Sequence, residues 1–136
     1  MERRLQVLVV DDEPIVGKRL KSMLAKLGCD IEVFVDPKEA CSRVDEREFD
    51  VVVTDILMAK LDGIQVLEHV LKRVPEAKVI MITGYAMMEM ARQAMEKGAF
   101  DFIAKPFKPD DLRASVARAA AALGIQVESK TGESQG

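Results

Sequence analysis

The stretch "VVVTDILMAKLDG" (residues 51–63) sets three β-branched residues, Val51, Val52 and Val53, just before Asp55, then breaks into a loop that ends at Gly63. A continuous apolar run of this length, without polar alternation, is the pattern of a strand covered on both faces. A carboxylate at the end of such a strand needs company, because burying an unpaired charge is costly. The same kind of run recurs in "LQVLVV" (5–10), "DIEVFV" (30–35), "KVIMIT" (78–83) and "DFIA" (101–104). Each is followed by apolar residues three or four apart, the period of a helix with one buried face. After the first run these are Val16, Leu20, Met23, Leu24 and Leu27, with Gly28 as a stop. After the second, Asp36-Pro37-Lys38-Glu39 offers an N-cap, a proline at the first helical position and a glutamate at the third. Ile64, Leu67, Val70 and Leu71 follow the third run, Met88, Ala91 and Met95 the fourth, and Leu112, Val116, Ala119 and Leu123 the fifth. The expectation is an α/β fold: a doubly wound, five-stranded parallel sheet with helices on both faces.

The chain has 136 residues, enough for one domain with an ordinary core. At 49% apolar and 32% charged it reads as a globular protein rather than a disordered one. A net charge of −3 and the lack of a basic cluster argue against direct binding of nucleic acid. The N-terminal "MERRLQVLVV" is too short in its apolar part for a signal peptide or a membrane span, so the expected location is cytoplasmic. The two cysteines, Cys29 and Cys41, have no metal-ligand spacing and read as small buried thiols in a reducing compartment. The expected domain covers residues 1–123, and the polar, aperiodic "GIQVESKTGESQG" (124–136) reads as a tail or the start of a linker.

In a doubly wound sheet the ligand site lies at the carboxyl ends of the strands, where strand order reverses. Strand one ends in Asp11-Asp12, strand three in Thr54-Asp55, strand four in Thr83-Gly84 and strand five in Lys105-Pro106, so these groups are expected on one edge. Three neighbouring carboxylates repel one another, and a hard divalent cation relieves that repulsion. Oxygen ligands with open positions suit Mg²⁺, which keeps waters and favours phosphate oxygens. With Lys105 and the Thr83 hydroxyl added, the set reads as a cradle for a phosphoryl group. Asp55 is then a candidate nucleophile that forms an aspartyl phosphate, with the metal and Lys105 stabilising the charged oxygens. The plainer alternative is that each aspartate after a strand caps a helix, Asp11 or Asp12 capping the one that begins near Pro14. Capping does not explain complementary polar groups at four strand ends.

The motifs "VVDDEP", "VVVTDILMAKLDG", "MITGY" and "FIAKPF", in that order, resemble those of response-regulator receiver domains of two-component signalling, over residues 4 to about 123. The resemblance implies a flavodoxin-like sheet of strand order 2-1-3-4-5 and Asp55 as the residue phosphorylated by a sensor histidine kinase. It implies Asp12 as a direct Mg²⁺ ligand, Asp11 acting largely through water, and a metal contact from the Leu57 backbone carbonyl. Thr83 and Lys105 would meet the phosphoryl oxygens, the Lys105-Pro106 bond would be cis, and Thr83 would be coupled to Phe102 as a switch. More narrowly, "ITGYAMMEMARQAMEKGAFDFIAKPFKPDDL" looks like the NtrC-like receivers that drive sigma-54-dependent transcription through an ATPase module. One departure is Ala59, where the family usually has proline, which leaves the loop after Asp55 less restrained.

Two other chemistries compete with this reading. An aspartate-dependent Mg²⁺ phosphohydrolase needs a second acid two residues after its nucleophile, and that position is Leu57. A flavodoxin-like cofactor binder needs a Gly, Ser or Thr loop after strand one, where this chain has Asp11-Asp12-Glu13. The expected activity is therefore the chain's own phosphoryl transfer to Asp55 and its loss, not turnover of an external substrate. Leu57 and Tyr85 flank the approach of water to a phosphoryl group on Asp55, so that group is expected to be long-lived. A partner surface is expected on the fourth and fifth helices, for a homodimer or a downstream output domain or protein. Its residues would be Met87 and Met90 on an outer face of the fourth helix and the small stripe Ala114, Ala117 and Ala121 on the fifth.

Overall fold

A computed structural model describes residues 3–58 and 61–128. Five strands, β1 (Gln6–Val10), β2 (Asp30–Phe34), β3 (Val51–Asp55), β4 (Lys78–Thr83) and β5 (Asp101–Ala104), alternate with five helices. These are α1 (Pro14–Ala25), α2 (Pro37–Glu46), α3 (Gly63–Arg73), α4 (Met88–Glu96) and α5 (Pro109–Ala122). The strands form one parallel sheet of order β2-β1-β3-β4-β5. This is the flavodoxin-like doubly wound arrangement expected from the sequence.

Strand alternation sorts the core into two layers. Val7, Val9, Val51, Val53, Ile80 and Ile82 face the α1 and α5 side, against Leu20, Leu24, Leu112 and Val116. Leu8, Val10, Val52, Val79 and Met81 face the α2–α4 side, against Ala40, Val44, Leu67 and Ala91. Cys29 and Cys41 are buried free thiols, one in each layer. The expected cap of α2 is present, with Asp36 Oδ1 accepting from the Lys38 N–H at 2.9 Å beside Pro37. The Asp62 carboxylate and the Gln65 side chain cap α3 reciprocally.

Two expectations need correction. The inner face of α4 is Ala91 and Ala94, with Met87 and Met90 half-buried against the core, while Met95 is 37% exposed. Met87 and Met90 thus do not form an outer face, and Met95 does not point in. The small alanines let the helix lie close to the sheet, and the long methionines on either side of that contact fold down at its margin. A 3₁₀ turn at Tyr85–Met87, closed by Met87 N–H to the Gly84 carbonyl at 2.9 Å, sets this phase. On α5, Ala114 and Ala121 are exposed and Ala117 is half-buried.

The second correction is to the boundary at residue 123. Gly124 ends α5 in the left-handed conformation (φ 75°) and turns the chain back onto the body. Ile125 is then 9% exposed in the α1–α5 layer, and the Glu128 N–H donates to the Leu27 carbonyl at 2.9 Å. Residues 124–128 are therefore docked structure. The remainder of the expected tail (129–136) and Ala59 lie outside the described residues.

Candidate functional site

The sheet order places β1 between β2 and β3, so strand order reverses between β1 and β3. Asp11 and Asp12 follow β1, and Asp55 ends β3, on the two sides of that crevice. Asp11 continues the ladder beyond β1, with its N–H donating to the Phe34 carbonyl at 3.1 Å. This holds its side chain under the surface, and Asp11 is fully buried, whereas Asp12 is half-buried. One Asp11 oxygen, Oδ1, accepts from the Glu13 N–H at 2.9 Å. The other, Oδ2, is buried without a hydrogen-bond partner. Burial, helped by the negative charges of Asp55 and Asp12, pushes the Asp11 carboxyl up to about 6.

Asp55 is half-buried, with its side chain 14% exposed. Its Oδ2 pairs with Lys105 Nζ at 3.4 Å, and its Oδ1 accepts from the Leu57 N–H at 3.3 Å. The backbone around it is held on both sides. The Ile56 N–H donates to the Ile82 carbonyl at 3.1 Å, and the Gly63 N–H donates to the Ile56 carbonyl at 2.7 Å. Gly63 opens α3 directly against this segment: a Cβ there would stand 2.8 Å from Ile56 Cα and would also strike the Asp55 carbonyl oxygen. The absence of a side chain at 63 is thus what lets α3 begin beneath Asp55.

Thr83, at the end of β4, is fully buried, and its hydroxyl donates to the Gly84 carbonyl at 3.1 Å rather than to Asp55. The Lys105 N–H donates to the Thr83 carbonyl at 2.7 Å, which extends the β4–β5 ladder and places Lys105 beside the crevice. The Lys105-Pro106 bond is cis. Phe102 is half-buried against the α2–α4 layer. Leu57 is 61% exposed at the mouth of the site. The side chain of Tyr85 lies outside the described structure.

The helix-capping reading fails for Asp55, because α3 is capped by Asp62. It fails for Asp11 as well: α1 has Glu13 at its cap position, with no side-chain cap bond. The carboxylates converge for another reason. A buried, orphaned Asp11 oxygen beside Asp12 and Asp55 fits a hard cation, which would supply the missing partner and offset the repulsion. Among the described residues no three acidic, His or Cys side chains close into a ligand cage. Mg²⁺ does not require one, since it keeps waters and takes one or two carboxylates.

The residues singled out from the sequence, Asp11, Asp12, Asp55, Thr83 and Lys105, all lie at the carboxyl ends of the strands, and the sequence reading missed the role of Gly63. Its only signal was the glycine that opens a helical period eight residues after a strand-end aspartate. It set Asp11 apart only as acting largely through water and gave no sign that Asp11 is the deepest of the three carboxylates.

A sequence model of the response regulator receiver domain matches residues 7–117. Chemotaxis protein CheY of Listeria monocytogenes is 34% identical over 119 residues, covering 85% of this chain and 98% of that protein. The transcriptional regulatory protein ZraR of Escherichia coli O157:H7 is 33% identical over 117 residues, covering 86% of this chain and 26% of its own length. The crystal structure of the receiver domain of NtrX from Brucella abortus superposes with a TM-score of 0.80 at 35% identity, covering 85% of this chain and 98% of that one. The chain spans about a quarter of the length of the first curated relatives it matches.

Proposed function

The chain belongs to the response regulator receiver family, and from that premise we propose that it is a phosphorylation switch: Asp55 takes a phosphoryl group from a sensor histidine kinase, with Mg²⁺, and the domain then changes the surface it offers to a partner. The observation that carries this reading is the half-buried Asp55 carboxylate, paired with Lys105 at 3.4 Å beside the orphaned oxygen of Asp11. An Asp55 oxygen attacks phosphorus, the bond from phosphorus to the donor's histidine nitrogen breaks, and that nitrogen keeps the electron pair. Lys105 follows the negative charge onto the phosphoryl oxygens, and the buried Thr83 hydroxyl turns from the Gly84 carbonyl to donate to one of them. Asp11, Asp12, Asp55 and the Leu57 carbonyl would hold Mg²⁺, which supplies charge neutralisation at those same oxygens.

Movement of Thr83 opens space behind it, and Phe102, at present half-buried, moves to fill that space. The change is read out on α4 and α5, where exposed Met95, Ala114 and Ala121 offer a surface for a second copy or a downstream protein. Regulation of transcription through an attached or separate output module is the reading favoured by the likeness to the transcriptional regulatory protein ZraR.

The test is phosphorylation by acetyl phosphate, read by intact mass with and without Mg²⁺. One phosphoryl group should be gained, only with Mg²⁺, and Asp55→Asn should gain none. Stoichiometric labelling of Asp55→Asn would overturn the assignment.

A further inference from the structure

β2 is an edge strand whose one neighbour is β1. The Asp30 N–H donates to the Leu5 carbonyl at 2.9 Å, and the Phe34 carbonyl accepts from Asp11 at 3.1 Å. In a parallel ladder alternate residues turn their backbone groups to the same side, so Asp30, Glu32 and Phe34 face β1 and Ile31 and Val33 face outward. Among the described residues no hydrogen bond takes up the outward groups of Ile31 and Val33. An open row of this kind is a template for another strand.

The surroundings of this edge are shaped for one. A groove of about 590 Å³ runs along it, between the strand and α1, and includes Ile31, Val33 and Val35. Val35 is 45% exposed. The groove wall on α1 carries Lys18 and Lys21, one turn apart, and neither is in an ion pair among the described residues. No residue of α1 is acidic. The strand's own charge is already taken, because Glu32 is bound by Arg43 at 2.8 Å and by Arg47 at 3.1 Å. On the α2 side the charged residues are of both signs, Lys38 and Arg43 with Glu39 and Glu46. The unpaired charge beside the open edge is therefore positive, in a chain whose net charge is −3.

Two occupants fit an open edge, and charge separates them. A second copy pairing β2 with β2 about a two-fold axis would bring both α1 helices to one face, setting Lys18 and Lys21 against their equivalents. An extended acidic segment would instead meet those lysines with opposite charge. We propose that the β2 edge is a docking site for an extended peptide segment of a partner protein, with acidic residues at the alternate positions that turn to the α1 face, which adds as a sixth strand. Main-chain hydrogen bonds to Ile31 and Val33 supply affinity, and the lysines of α1 select for acid.

The probe is a short peptide alternating valine with glutamate, blocked at both ends, titrated into the full chain and followed by backbone amide NMR. The Ile31 and Val33 amides should shift and exchange more slowly with solvent. Lys18→Glu combined with Lys21→Glu, two exposed changes that leave the core alone, should weaken binding about tenfold or more. The matching peptide with lysine in place of glutamate should bind about tenfold more weakly to the parent. Equal binding of both peptides, or shifts centred away from β2, would overturn the proposal. So would a dimer of the unliganded chain in sedimentation that Val33→Pro dissolves, since the occupant would then be a second copy.

Discussion

Gly63→Ala is the sharpest test of how the site is built. By helix propensity alone, alanine inside a helix is better than glycine by about 1 kcal/mol, and the substitution also stiffens the unfolded chain. The structure predicts the opposite sign. The new Cβ would lie 2.8 Å from Ile56 Cα and 2.9 Å from Met81 Cε, and would strike the Asp55 carbonyl oxygen. Met81 can rotate away, but two of the three obstacles are backbone that hydrogen bonds to Ile82 and Gly63 hold in place. Overpacking that backbone must relieve by shifting costs about 1–3 kcal/mol, which outweighs the propensity gain. With most of the clash against backbone the cost falls in the upper part of that range, so the net loss is about 1–2 kcal/mol, and a urea slope of about 2 kcal/mol/M turns that into a midpoint lower by about 0.5–1 M. Gly84→Ala is the control: it flanks the same site, and a Cβ there meets nothing within 4 Å. It should stay within about 0.5 kcal/mol of the parent. The same strain displaces Asp55 from Lys105, so phosphorylation of Gly63→Ala by acetyl phosphate should also slow. A Gly63→Ala protein as stable as its parent, or more stable, would refute the contact.

Leu57→Asn should shorten the phosphoryl lifetime severalfold in a single-turnover decay measurement, because an amide can orient water where the exposed leucine obstructs it. Ile125→Ala should cost about 2–4 kcal/mol by urea denaturation, the penalty of truncating a buried aliphatic side chain; a cost within 0.5 kcal/mol or so would return residues 124–128 to the status of a tail. Burial pushes the Cys29 thiol from its ordinary 9.0 up to about 11. The folded state thus disfavours the thiolate, and the stability present below pH 9.0 should be lost as the pH rises from there through about 11. At neutral pH Cys29 and Cys41, both buried, should resist iodoacetamide until the protein is unfolded, as peptide mapping will read.

The five strands and the chemistry gathered at their ends were determined by residues close together in the chain. Runs such as Val51–Val53 are short and β-branched, which favours strand over helix, and Asp36-Pro37 and Gly28 punctuate helices by local geometry that needs no partner. Because a parallel sheet sends every strand's carboxyl end to one edge, the placement of Asp11, Asp12, Asp55, Thr83 and Lys105 along that edge followed from the strand ends alone. Depth and phase did not follow. Asp11 and Asp12 are adjacent and chemically identical, yet Asp11 alone is fully buried, because a ladder bond to Phe34 continues past β1 and holds it under the surface. Met87, Met90 and Met95 could not be assigned to faces by apolarity, because which side of α4 meets the sheet depends on how closely Ala91 and Ala94 allow the helix to approach. Likewise Ile125 is a core residue only because Gly124 returns the chain to α1, and Gly63 matters only because α3 begins against Asp55. Each of these depends on how one element packs against another, which the local pattern of either does not state. Local pattern sets which residues are eligible for such contacts, and packing selects among them.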